Sequence, residues 1–162
     1  MAKPEGVGTT LAAEMIATAL AYWESIRGDR AMPRRSDLDP AEIPRLLPFA
    51  MLVDALENPR DFRFRLVGTE IDAITAVSLR GQRFSGSPQL GPGSNIWSDY
   101  VSVATTHQPL TGKVDYVGVD RYVRAIRHCL MPLSDDGERV NMIFVAVEVL
   151  RGTQAIPATG KR

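Results

Sequence analysis

The chain has two histidines and one cysteine, His107, His128 and Cys129, residue types suited to proton transfer, metal ligation or nucleophilic attack. The adjacency of His128 and Cys129 suggests a thiolate–imidazole dyad, but neighbours on a strand project to opposite faces and cannot activate each other directly. His107 could meet a carboxylate such as Asp99 or Asp115 as an acid–base pair. One such contact, with no nucleophile, metal or phosphate loop beside it, does not amount to a catalytic site. Two histidines and a lone cysteine do not make a structural zinc site, and a single cysteine excludes an intramolecular disulfide. Arg63 and Arg65, two apart in Phe62-Arg63-Phe64-Arg65-Leu66-Val67, share a strand face and could grip either an anion or a carboxylate of the protein itself. The preferred reading is structural, an ion pair with Glu14 or Glu24 of the first helix. Asp135-Asp136-Gly137-Glu138 reads as a solvated hairpin turn, because the spaced ligands and distal glutamate of a calcium loop are missing. Pro33-Arg34-Arg35 lacks aromatic interleaving and is taken as a connector.

The elements that must position these residues are legible from length, composition and periodicity. The chain has 162 residues, of which 44% are hydrophobic, enough for one ordinary domain with a core that needs neither disulfides nor metal. Nineteen basic residues balance nineteen acidic ones, so there is no field to steer the protein towards nucleic acid or an anionic membrane. The first residues contain no apolar signal core, and the longest aliphatic run, around Met142 to Val147, is too short to span a bilayer. A cytoplasmic protein is expected.

A broad apolar stripe, Leu11, Met15, Ala19, Tyr22 and Ile26 widened by Ala12, Ile16, Leu20 and Trp23, predicts an N-terminal helix capped by Thr9 or Thr10 and ended at Gly28. Its stripe must dock on the back of a sheet or on the same helix of a second subunit. A proline-punctuated connector runs from Met32 to Pro48, with Asp39 as cap and Pro40 at the first position of a short helical turn. Strands at Met51–Asp54 and Phe62–Val67 should pair as a hairpin across Asn58-Pro59. A short helix from Thr69 and Asp72 through Ile71, Ile74 and Val77 follows, then a Gly- and Pro-rich loop from Gly81 to Gly93. Ser94 caps a longer helix with Trp97, Tyr100, Ala104 and His107 along one side, closed by Pro109. Three strands complete the chain, Thr111–Val117, Tyr122–Met131 and Val140–Leu150, the last two joined by the turn Pro132 to Arg139. In the last strand Met142, Phe144 and Ala146 alternate with Ile143, Val145 and Val147, so both faces of the sheet need covering. The segmentation expected is an N-terminal helix over 1–30, a connector over 31–48, a core over 49–150 and a loose tail over 151–162.

This order gives an α+β fold: a five-stranded antiparallel sheet with helices over one face and an extra N-terminal helix on the other face or at a dimer interface. Together with Ala21-Tyr22-Trp23-Glu24-Ser25, the stretch Met32 to Pro40, Phe62 to Ile71 and the Pro132-Leu133-Ser134 hairpin, it resembles a PAS domain, and more narrowly the stand-alone bacterial PAS family once known only as a domain of unknown function. The resemblance spans about Ala21 to Leu150. It implies a sensory or adaptor module, without catalysis, that binds a small ligand, partner proteins or both and signals through protein contacts; no kinase, cyclase or helix-turn-helix output follows Leu150. It implies a cavity roofed by Trp97, Tyr100 and His107 over a floor of Tyr122, Ile126 and His128, or alternatively Val123, Ala125 and Cys129. Filled core packing is the simpler reading of the same residues. Haem-binding relatives hang iron from a histidine on the long helix, near the place of His107, but no pocket for the propionates is evident. Flavin-adduct relatives carry a reactive cysteine in Asn-Cys-Arg-Phe-Leu-Gln on a short helix, whereas Cys129 sits on a strand, so neither cofactor is expected. Tyr22, Trp23 and Glu24, with Arg63 and Arg65, are the expected structural or interface residues, and the helical stripe suggests a homodimer. Two rivals remain: a small cone-shaped isomerase or dehydratase using a pocket His and Asp, and a pure protein-interaction module with a filled core.

Overall fold

The computed structural model of the chain describes residues 7–116 and 118–153, the side chains of 7–13 excepted. Its elements are α1 (Val7–Arg27), β1 (Ala50–Leu56), β2 (Asp61–Val67), α2 (Thr69–Asp72), α3 (Asn95–Thr106), β3 (Leu110–Val114), β4 (Val123–Leu133) and β5 (Met142–Arg151). The five strands form one antiparallel sheet in the order β2-β1-β5-β4-β3. This is the expected α+β arrangement, with hairpins at both ends of the chain order and the first and last strands paired at its centre.

Cross-strand register assigns the two faces. Ile143, Val145 and Val147 align with Pro132, Leu130 and His128, and Val53 aligns with Ile143 and Phe64, so these side chains share the face under α3. Met142, Phe144, Ala146 and Glu148 align with Leu133, Met131, Cys129 and Arg127, and Asp54 with Met142 and Arg63, on the back. α1 covers part of that back face. Its Ile16, Ala19, Tyr22 and Trp23 are buried, and the Trp23 indole N–H donates to the Pro132 carbonyl at 2.9 Å. Among the described residues of the apolar stripe, Met15, Leu20 and Ile26 are partly buried against the same core. The Tyr22 hydroxyl accepts from the Asp39 amide at 2.8 Å, which ties the connector to the helix.

Several boundaries differ from expectation for identifiable reasons. α1 already runs from Val7, so Thr9 and Thr10 lie inside it rather than capping it; the side chains of Leu11 and Ala12 are outside the described residues. Asp39 does cap a 3-10 turn, Pro40–Glu42, its carboxylate accepting from the Ala41 amide at 3.0 Å. Thr69 opens α2 rather than capping it, since Gly68 holds the cap position, and the helix stops at Asp72, short of Ile74 and Val77. The expected first late strand, to Val117, ends at Val114, and Val117 itself lies outside the described residues. β4 continues through Pro132 and Leu133, which had read as turn. A proline is tolerated there because β3 reaches only to the Leu110–Leu130 pair, so no neighbouring strand on that side requires the N–H that Pro132 lacks. β5 runs from Met142 to Arg151, which pairs with Val123; of the expected tail over 151–162, residues beyond Thr153 are outside the described set.

Candidate functional site

The face under α3 is where the histidine, the aromatics and the expected pocket meet. α3 is capped by Ser94, whose hydroxyl accepts from the Trp97 amide at 3.1 Å, and this fixes Trp97 and Tyr100 one turn apart over the sheet. Phe62 and Phe64 rise from β2, and Phe84 enters from the 3-10 turn Phe84–Gly86. The rings interlock: Phe62 lies 5.2 Å from Trp97, 5.3 Å from Tyr100 and 5.5 Å from Phe84, while Phe84 lies 4.7 Å from Phe64 and 4.8 Å from Tyr100. These are tilted and edge-on contacts at the spacings aromatic pairs prefer. Phe62, Phe84 and Tyr100 are essentially inaccessible to solvent.

A lock beside this cluster holds Phe84 in place. The buried Asp61 carboxylate accepts from the amides of Phe62 (2.8 Å) and Ser85 (3.2 Å) and from the Ser85 hydroxyl. Burial pushes its pKa up, but these hydrogen bonds and the nearby Arg83 charge outweigh that and hold it below the usual carboxylate value. Neither Asp61 nor Phe84 was singled out from the sequence, because Phe84 sits in a Gly- and Pro-rich loop with no periodicity. The pairing of an acidic residue at a strand start with a later serine becomes visible only in three dimensions.

His128 is buried with its Nε2 at 3.2 Å from Asp99 Oδ2, and its ring meets that of Tyr100 edge-on at 6.2 Å. Gly112 on β3 leaves space for the pair, since a Cβ there would sit 3.2 Å from Asp99 Oδ2. Burial lowers the His128 pKa, and the hydrogen bond and charge of Asp99 only partly oppose that, so the imidazole is held towards its neutral form. Burial likewise pushes the Tyr100 phenol well up.

The expected pocket residues separate. Trp97, Tyr100, Ile126 and His128 are together under α3. Tyr122 precedes β4 and is 49% exposed, so it does not join the floor. His107 leaves the row of Trp97 and Tyr100: it is the C-cap of α3 in the left-handed region, φ 62°. The partner of Asp99 is His128 rather than His107. Cys129 faces the back of the sheet, where burial pushes its thiol up, away from the reactive thiolate form. His107 thus stands apart from Trp97 and Tyr100, whose rings contact Phe62 and Phe84, and Cys129 lies on the opposite face of the sheet from α3. On the back face, Arg63 and Arg65 bind Asp54, which accepts from Arg63 Nη2 at 2.9 Å and Arg65 Nε at 2.7 Å. Glu24 instead pairs with Arg27 at 2.6 Å. The expected partners Glu14 and Glu24 are corrected to Asp54, which directly faces Arg63 across the β1–β2 ladder.

The profile of the PAS domain family matches residues 12–145, most of the chain. The chain belongs to that family. Neither a curated protein nor a solved structure matches it. As a PAS domain it is a sensory or signalling module in general character. The acidic hairpin of this PAS domain binds itself: Asp136 accepts from the amides of Glu138 (2.9 Å) and Arg139 (2.8 Å), which draw its pKa down to about 2. Among the described residues no group of three or more metal-ligating side chains converges, and no helix is long and apolar enough to cross a membrane.

Proposed function

We propose that this PAS domain acts as a cytoplasmic adaptor in bacterial signalling, passing information through protein contacts rather than through a cofactor held under α3. The observation that carries this reading is the aromatic cluster of Phe62, Phe64, Phe84, Trp97 and Tyr100, which occupies the space where a ligand would be expected with the chain's own side chains. Opening such packing for a guest forfeits close contacts on several rings at once. The His128–Asp99 pair has the spacing of an acid–base couple but faces these rings, which favours a structural latch between α3 and β4 over catalysis. The described part of the α1 stripe, from Ile16 to Trp23, packs on its own sheet, which favours other surfaces for self-association.

Native and denaturing mass spectra of freshly purified full chain, with an absorbance scan and hydrogen exchange, test the proposal. The expected result is the apo mass and no visible band. A mass excess lost on denaturation, together with ligand-dependent protection of α3, would overturn it. Native mass also reports whether a homodimer forms.

A further inference from the structure

The back of the sheet carries a concavity, on the side of β1 and β2 that α1 does not cover. A groove of about 470 Å³ runs between the connector and the sheet, with Leu38, Ile43 and Leu47 on one wall and Leu52, Leu66 and Phe144 as floor. Its size falls within the range of small-molecule sites, about 300–1,000 Å³. Leu47 and Leu66 are 39% and 42% exposed, although both are large aliphatic residues with a groove wall beside them. At Arg35 and Leu66 the groove opens into a depression of about 400 Å³ lined by Arg35, Arg65, Arg80, Leu66 and Met142. Three guanidiniums thus gather at one end of an apolar trench with no carboxylate among the lining residues. Arg65 uses its Nε on Asp54. Arg35 and Arg80 make no side-chain hydrogen bond or ion pair among the described residues.

The walls are preformed. Pro40, Pro44 and Pro48 stiffen the connector, and Gly68 lets the end of β2 pass directly beneath it: a Cβ at 68 would lie 2.3 Å from the Pro48 carbonyl oxygen. A site that needs no ordering on binding keeps more of its contact energy.

We propose that this groove binds an amphipathic carboxylate of the fatty-acid class, with its apolar chain along Leu38, Leu47 and Leu66 and its head group held by Arg35 and Arg80 with Arg65 behind them. The guanidinium fork matches a carboxylate in two-point geometry, and an anion relieves the mutual repulsion of like charges sharing one depression. The trench removes the tail and the exposed leucines from water together. The site lies on the opposite face from the aromatic cluster, so its failure would leave the adaptor role standing, and the reverse also holds.

Methyl-labelled full chain is titrated with sodium decanoate below its micelle-forming concentration, alongside decanol, which has the tail without the charge. Saturable shifts are expected at the methyls of Leu38, Leu47, Leu66 and Met142, with decanol binding about tenfold more weakly, the ratio for losing one charge-assisted contact. The double variant Arg35→Ala, Arg80→Ala should weaken decanoate by at least that factor. Because neither arginine has a side-chain partner among the described residues, the urea midpoint of the variant should stay in place, which separates lost binding from lost folding. Absence of saturable shifts, shifts confined to the face under α3, or equal binding of decanoate and decanol would overturn the assignment. So would an unchanged affinity in the double variant, or a response to anionic phosphatidylglycerol vesicles with none to free decanoate.

Discussion

Trp23 is the strongest single anchor of α1, and replacing it tests whether that helix is an integral part of the fold. Its side chain is 2% exposed, and its indole N–H donates to Pro132 at 2.9 Å. A buried tryptophan removes about 150–250 Å² from water. At about 25 cal/mol per Å² that corresponds to about 4–6 kcal/mol as an upper bound. The hydrogen bond adds about 1 kcal/mol. Trp23→Ala should therefore cost about 4 kcal/mol, within the range for large-to-small core changes. For a chain of this length that corresponds to a fall in melting temperature of about 8–16 °C. Trp23→Phe keeps most of the apolar contact and loses the donor, so it should cost about 1–2 kcal/mol. In either variant Trp97 is the one tryptophan left, and its fluorescence reports the α3 face while circular dichroism reports the whole chain. Urea unfolding followed by both probes, with hydrogen exchange at Ile16 to Arg27, separates two outcomes. If α1 shares the global unit, both transitions move together; if it undocks first, its amides exchange faster before Trp97 responds. A Trp23→Ala cost below about 1 kcal/mol with α1 protection unchanged would refute the anchoring argument.

Asp54→Asn should destabilise by about 1–2 kcal/mol, since it takes from Arg63 and Arg65 their shared negative charge and one of the two accepting oxygens; both guanidiniums are partly in water, which limits the effect, and a urea midpoint unchanged within error would contradict the pairing. His128 has its pKa lowered by burial, so the unfolded chain takes up the proton more readily and stability should fall as pH drops below about 6.5 towards the folded value. Asp99→Asn removes the group that raises that pKa and should move the His128 proton titration lower still by NMR; a move upward would refute the assigned contact. Glu148 is buried on the back face with no partner for its Oε1 among the described residues, and burial raises its pKa against the opposing influence of the Ile16 backbone and the Arg127 charge. The native state then keeps a proton that the unfolded chain has released above about 4.3, so stability falls as pH rises from there to the folded value and is flat beyond it. Glu148→Gln should flatten that slope and be the more stable protein at pH 7, and a pH profile identical to wild type would rule this out.

Much of the fold could be read because period-two alternation is unambiguous when each face has its own cover. Phe62 and Phe64 against Arg63 and Arg65 fixed both the strand and its sidedness. The partner of the arginines was not legible, because Asp54 faces Arg63 only through the β1–β2 register, with an irregularity at Leu52 and Val53 that the sequence does not announce. Pro132 read as a turn residue because its permission to sit in a strand depends on where a neighbouring strand ends. His107 carried a usable signal: Gln108 precedes Pro109 and is biased away from helical backbone, so the helix had to finish early and its last histidine could not stay in the row. Of the candidate site, Trp97, Tyr100 and His128 were legible as a group, whereas Phe84 and the Asp99 contact depend on a loop fold and on the rotation of α3.

The two parts of the back face share a row of side chains, and that makes them candidates for coupling. Met131 on β4 aligns with Phe144 on β5, and Phe144 aligns with Leu52 on β1. Phe144 and Leu52 floor the arginine-ended groove, while β4 and β5 carry the α1 dock. A guest in the groove therefore rests on the same row that reaches the helix. Packed side chains in such a row shift together rather than independently. If docking of α1 and occupancy of the groove are coupled, linkage requires the effect to be equal in both directions. Decanoate should then change the exchange rates of α1 amides, and Trp23→Ala should change decanoate affinity by the matching factor. Coupling energies of this kind are about 1–3 kcal/mol, or about 5–150-fold in affinity, which is well within reach of a titration. If decanoate binds and neither quantity moves, groove and helix are independent, and a signal arriving at the groove would have to leave through the connector instead.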